Sequence, residues 1–298
     1  MRRFLAVCGL LAVPLAVAPT ASAAASAGTI YGICGISICT VDAAGGKKRT
    51  LLKGTAMKPY RSVSVSRSGS RLAFIRDEEV FRAKRNGMSP ERVGTALRQA
   101  APEVNVRPDG GAVAWIDAIQ RPVIVCAFPP CGTQRERTLI VLEAGKPAAR
   151  SVIVADGLSS AGWLARSALR QAFGDGDKPW FICTVTASAG CVASVAADAL
   201  RWLDDPAGSA DGRRVAAVAR PGSAGAPGSV TGPIALFDAA TGNHLRDLTS
   251  GADLDPAFSP DAKRVAFVRG RDLYVVPAGA GAARRLAKGV TSPSWAQR

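Results

Sequence analysis

Few residues in this chain are of a type that does chemistry. His244 is the one histidine among 298 residues, and a Ser- or Cys-centred nucleophile needs such a base. It stands in Thr241-Gly242-Asn243-His244, a turn between outer strands, which suits a solvated residue better than a base. Asp175-Gly176-Asp177 is a fragment of a calcium-loop pattern without the closing Glu, and reads more simply as a polar turn. Asp204, Asp205, Asp253 and Asp255 stand just before apolar strands, where they either ring the mouth of a channel or serve solubility. No catalytic residue is assigned.

Of seven cysteines, Cys8 lies in an N-terminal leader and six remain in three local pairs. These are Cys34 and Cys39, Cys126 and Cys131, Cys183 and Cys191. An even number in close pairs predicts three disulfides in an exported chain. Zinc sites favour Cys-x2-Cys pairs with His, so neither a metal nor a cofactor is expected.

Short strands and turns must position these groups. Met1 to Ala23 reads as a secretory signal: Arg2 and Arg3, an apolar run from Phe4 to Ala18, and the small-residue site Ala21-Ser22-Ala23. Residues 24–298 then form one domain. No later apolar run is long enough to span a bilayer. In the stretch 253–298, an apolar strand Pro256–Phe258 meets the turn Ser259-Pro260-Asp261-Ala262, followed by alternating runs Arg264–Val268 and Asp272–Val276 and a basic run Ala283–Lys288. Pro is pre-set for the second position of such a turn, and Asp bonds its own backbone further on. Four short antiparallel strands in about 40 residues make one propeller blade.

Further copies open at Tyr60 with the turn Ser68-Gly69-Ser70, at Glu103 with Arg107-Pro108-Asp109-Gly110, and at Asp205 with Ser209-Ala210-Asp211-Gly212. The copy over 158–198 is the weakest, lacking the Pro-Asp turn. The first copy, from Thr29 to Leu52, has no innermost strand, while Thr291–Trp295 looks like an innermost strand with nothing after it. Together they make one blade. The expected architecture is all-β: a six-bladed β-propeller closed by pairing the C-terminal strand with the N-terminal blade. Five blades result if the fourth copy is irregular, and seven if the third is two.

The run SPDAKRVAF followed by DLYVV and RRL resembles the repeat of the TolB-like six-bladed β-propellers, and covers almost the whole chain in degenerate copies. The resemblance implies the fold strongly and the function weakly, because propellers host unrelated functions. TolB itself is a periplasmic partner of envelope proteins, so the resemblance implies protein binding by analogy.

Formal charge is +15, and loss of the leader leaves 36 basic against 23 acidic residues, which favours anionic partners. Nucleic acid is not expected, because the chain reads as exported and lacks basic-aromatic interleaving. The basic residues of the adjoining last, first and second blades should gather on one arc of the rim. They are Arg284, Arg285 and Lys288; Lys47, Lys48 and Arg49; and Arg82, Lys84 and Arg85. Trp115, Trp163, Trp202 and Trp295 fall on inner or second strands and read as packing between blades. The expected function is a secreted, monomeric, non-catalytic propeller that binds or scaffolds an envelope protein or anionic cell-wall polymer. The alternative is a metal-dependent lactonase or lyase housed in the channel.

Overall fold

In the computed structural model the described residues are 28–96, 103–125, 132–146, 149–155, 158–164, 168–173, 181–186, 190–196, 201–221 and 231–297. Residues 1–27, with the expected leader, are outside this range. All regular structure among them is β. No helix of the described residues is long and apolar enough to cross a membrane.

The first strands are β1 (Thr29–Cys34), β2 (Ser37–Asp42) and β3 (Lys48–Leu52), then β4 (Tyr60–Val65), β5 (Arg71–Arg76), β6 (Glu79–Lys84) and β7 (Glu91–Thr95). The third group is β8 (Val104–Val106), β9 (Ala112–Val125), β10 (Gly132–Glu143) and β11 (Arg150–Ala155). Next come β12 (Leu158–Leu164), β13 (Ala168–Phe173), β14 (Phe181–Thr186) and β15 (Gly190–Ala196). They are followed by β16 (Arg201–Gly208), β17 (Arg214–Pro221), β18 (Ile234–Asp238) and β19 (His244–Asp247). The chain finishes with β20 (Asp253–Phe258), β21 (Arg264–Arg269), β22 (Asp272–Pro277), β23 (Arg284–Ala287) and β24 (Thr291–Ala296).

Each group pairs as a four-stranded antiparallel meander, and β24 joins β1–β2–β3 as their innermost strand. The orphan strand and the headless copy thus form one blade, with Thr29 opposite Ala296 and Ile30 opposite Trp295. Six four-stranded sheets pair through their backbones, but the expected count of six blades is corrected to five among the residues whose side chains are described. Five sheets are blades whose side-chain packing is described. The strands β12–β15 pair through their backbones, but of their side chains only Trp163 is among the described residues. This is the stretch where the turn residues and the alternation fail, so its sequence supplies the least to fix a blade core.

Strand alternation explains the packing. Successive side chains point to opposite faces of a sheet, so each blade faces two neighbours. In the first blade Ile30 and Val41 pack with Ala266, Leu273, Val275 and Trp295, on the side of the last blade. Tyr31, Ile33 and Ile38 pack with Tyr60, Val63, Leu72 and Phe74 of the second. Side chains of this kind, fully buried, contribute roughly 1.5–3 kcal/mol each. Gly32 is required at this seam, because a Cβ there would lie 2.6 Å from Val290 and 2.9 Å from the Thr291 carbonyl.

The inner turns follow one plan. Gly110 N, Gly212 N and Ala262 N donate to the carbonyls of Arg107, Ser209 and Ser259. Inside each turn the Asp accepts from a backbone N–H two residues on: Asp109 from Gly111, Asp211 from Arg213, Asp261 from Lys263. Burial pushes the Asp211 and Asp261 carboxyls up, but their Ser partners, these N–H groups and the adjacent cations outweigh it and hold both low.

Of the expected disulfides, Cys34–Cys39 is formed, with Cα atoms 5.9 Å apart across the β1–β2 hairpin. Cys126 and Cys131 lie outside the described residues, between the far ends of β9 and β10, where Val125 opposes Gly132. For Cys183 and Cys191 the backbone alone is described, on β14 and β15.

Candidate functional site in the central channel

The innermost strands surround a cavity of about 700 Å³. Ligand sites in proteins are concave spaces of this size, mostly apolar with a few placed polar groups. The strand register sets which side chains reach it. Glu103, Asp205 and Asp255 each stand four residues ahead of their inner turns, which begin at Arg107, Ser209 and Ser259, and all three line the cavity. The turn end of the channel carries Arg67, Pro108, Ala210 and Pro260, each the second residue of its turn.

A repeated backbone irregularity presents the acids. The β16–β17 register shifts between Asp204 and Ala207, and the β20–β21 register between Leu254 and Ala257. The β24–β1 pair shifts between Tyr31 and Ile33, opposite Ser292 and Pro293. Asp205, Asp255 and Ser292 all have positive φ, at 50°, 52° and 49°, and each precedes a proline. A left-handed non-glycine residue costs roughly 1–3 kcal/mol and persists only where its surroundings fix it. Here the fixing contact is visible: Ser292 N donates to Asp255 Oδ2 at 3.1 Å, joining the last blade to the closing strand.

Burial pushes the Asp255 carboxyl up to about 7, the negative charge of Asp205 adds to the rise, and the Ser292 N–H opposes it. The channel wall between the fifth and last groups of strands therefore holds an exchangeable proton near neutrality. Of the four Asp residues singled out in sequence, Asp205 and Asp255 are at the channel. Asp253 is not: it is fully buried, and its carboxylate takes Arg269 Nε at 2.7 Å and a second guanidinium nitrogen at 2.9 Å. The side chain of Asp204 is outside the described residues.

The bulge is what separates Asp253 from Asp255, since residues two apart on a regular strand share a face. Glu103 and Arg67 were missed in sequence. Their signal lies in alignment on the inner turns. His244 stands at the start of β19, with Nε2 2.8 Å from Asp247 and its ring against Phe237, away from the channel. Trp163 and Trp295 line the cavity; Trp163 donates to the Asn105 carbonyl and Trp115 to that of Thr95. Residues 175–177, Trp180 and the side chain of Trp202 are outside the described residues. Among those described, no three His, Cys, Asp or Glu side chains converge as a metal site.

Residues of the expected basic arc lie along two seams of the first blade. Lys48 Nζ donates to the Lys288 carbonyl at 2.8 Å, and Arg284 to that of Ala43 at 3.3 Å, which ties the last blade to the first. Arg85 Nε donates to Tyr31 Oη at 3.0 Å, which ties the second blade to the first. Lys47, Lys48, Arg49, Lys84, Arg85, Arg284, Arg285 and Lys288 are exposed. Arg82 is half-buried and pairs with Glu91 at 2.6 Å, and Arg285 pairs with Asp272 at 3.3 Å.

This arrangement is a β-propeller with a polar-mouthed central channel. No family model matches the chain, and no curated protein matches it in sequence. Solved structures do match it in fold. TolB from Acinetobacter baumannii superposes with a TM-score of 0.67 at 16% identity, covering 92% of this chain and 68% of that one. A putative TolB from Agrobacterium tumefaciens gives 0.62 at 17%, covering 89% and 92%. An oligogalacturonate lyase in complex with manganese gives 0.55 at 12%, covering 85% and 70%. The chain has a TolB-like propeller fold.

The Asp255 proton makes a pH prediction. In an unfolded chain this carboxyl titrates near its usual 3.8, so between there and about 7 the fold holds a proton that the unfolded chain does not. The stabilising contribution is full below 3.8 and is lost as pH rises through about 7. Asp255→Asn keeps an acceptor for Ser292 N and cannot ionise. The melting temperature of D255N relative to the unmodified protein should therefore rise between about pH 5 and about pH 8. A difference that stays constant over this range would contradict the assignment.

Proposed function

We propose that this is an exported, non-catalytic propeller that docks on anionic envelope polymer through its basic seams and offers its channel face to a protein partner. The observation that carries the reading is the double seam around the first blade. Lys48, Lys288 and Arg284 meet across one of its sides, and Arg85 crosses to it from the other. Single exposed charges contribute little, but a cluster of one sign on adjacent strands raises the local potential and attracts polyanions. Similarity in fold to structures named TolB supports the protein-binding half. Export rests on the leader Met1–Ala23 and on the Cys34–Cys39 disulfide, because such bonds persist in oxidising compartments.

A channel enzyme is the second reading, favoured by the near-neutral proton of Asp255 beside Asp205. It requires a turnover that D255N abolishes; the docking reading requires none.

The docking test uses the side chains of Lys47, Arg49 and Lys288, which are exposed; Lys288 enters the seam bond from Lys48 only through its backbone carbonyl, which a substitution keeps. Replacing all three by Gln should weaken binding of the exported protein to anionic cell-wall polymer and flatten its salt dependence, with an unchanged melting temperature. Mass mapping of the same sample should find an N-terminus at Ala24 and the bonds Cys126–Cys131 and Cys183–Cys191. Equal binding at low salt by the triple variant would show the seams to be solvated faces. A retained leader or a long-range disulfide would contradict export in this form.

A further inference from the structure

The four inner turns are copies of one device, and one copy departs from it. Three have Pro108-Asp109, Ala210-Asp211 and Pro260-Asp261 as their second and third residues; the second blade has Arg67-Ser68. The turn still forms, since Gly69 N donates to the Ser66 carbonyl and the Ser68 hydroxyl accepts from Ser70 N, as the Asp carboxylates do elsewhere. The fold therefore does not call for Arg67. Positions that break a local rule without a structural return are expected at functional sites.

The position of Arg67 sharpens this. Its N–H donates to the Pro108 carbonyl at 2.9 Å and its carbonyl accepts from Gln297 N at 2.8 Å, so its backbone is pinned to both neighbouring blades. Its side chain lines the cavity. Its Nε is buried without a hydrogen-bond partner, and no described carboxylate pairs with its guanidinium. Arg107, one residue earlier in the next turn, is the contrast: it binds Asp109 at 2.8 Å and reaches Glu143 at 3.5 Å. Arg67 as a whole is half-buried, but a guanidinium nitrogen held out of water without a partner is costly, and it is retained where something else supplies the acceptor.

The carboxylates Glu103, Asp205 and Asp255 are one end of the channel away, about 16 Å at five residues of strand. Between them the lining includes Val65, Val106 and Phe258. From the unpartnered Arg67 Nε, the pinned backbone and this lining, we infer that the turn end of the channel is a binding site for a small organic anion. Arg67 takes a single carboxylate and the apolar wall takes the body behind it. The far mouth carries Glu103, Asp205 and Asp255 beside Arg61. This site is separate from the basic seams and does not depend on docking there.

Benzoate is the probe, with benzamide as its neutral isostere. Calorimetry should show benzoate binding at millimolar concentration and benzamide binding at least tenfold more weakly, since charge-assisted bidentate bonds are the strong ones. Arg67→Gln should cost benzoate tenfold or more. Arg67→Met keeps the stem and removes the charge, so its melting temperature should equal or exceed that of the unmodified protein. The inference is overturned by no benzoate binding, by equal binding of benzamide, or by an R67Q variant that binds as well. It is also overturned if R67M melts several degrees lower, which would make Arg67 a packing residue.

Discussion

Everything in this ring depends on one strand pairing, that of β24 with β1. A blade buries each face only against a neighbour, so an open ring would leave two apolar faces and an unpaired edge in water. β24 removes both at once. It hydrogen-bonds along β1, and it carries Trp295, 5% exposed, into the cluster that joins the last blade to the first. The Arg264 guanidinium lies 5.0 Å from the centre of the Trp295 ring, a cation–π contact from the last blade. The strand also reaches sideways: Ser294 Oγ accepts from Val65 N in the second blade, and Ser292 N donates to Asp255 in the last. Six residues thus hold three blades together.

Repetition makes the rest of the structure economical to explain, and makes its departures informative. Where the Ser-x-Asp turn recurs, with Ser209 and Asp211 or Ser259 and Asp261, its groups are spent on their own backbone. The groups with chemistry to offer are those that break the pattern. The Asp-Pro bulges set Asp205 and Asp255 on the channel wall, and Arg67 replaces a proline at the opposite end. The channel therefore holds three acids beside Arg61 at one mouth and Arg67 at the other.

Much of the fold was legible in the sequence because strand alternation and turn residues are local. Val63 and Val65 alternating with Ser64 and Ser66, and the isolated strand at Thr291–Trp295, were enough to place the inner strands and the closure. The blade count was not, because residues 158–198 lack those local signals and six had to be inferred from length. Asp253 and Asp255 show why the site was less legible. They sit two residues apart and look alike in sequence, yet a bulge sends one to Arg269 and the other to the channel. Bulges depend on partners across the sheet, which a single strand does not reveal. Arg82 was grouped with free cations for the same reason; its partner Glu91 is on the facing strand, nine residues away.

The closure can be measured directly by hydrogen exchange on the full chain and on a chain ending at Gly289. Loss of β24 should speed exchange throughout β1 and at Val65, whose amide loses its Ser294 acceptor, and should lower the melting temperature by many degrees, since pairing and Trp295 burial vanish together. Unchanged protection at β1 and Val65 with an unchanged melting temperature would mean that the ring closes without this strand, contrary to the account given.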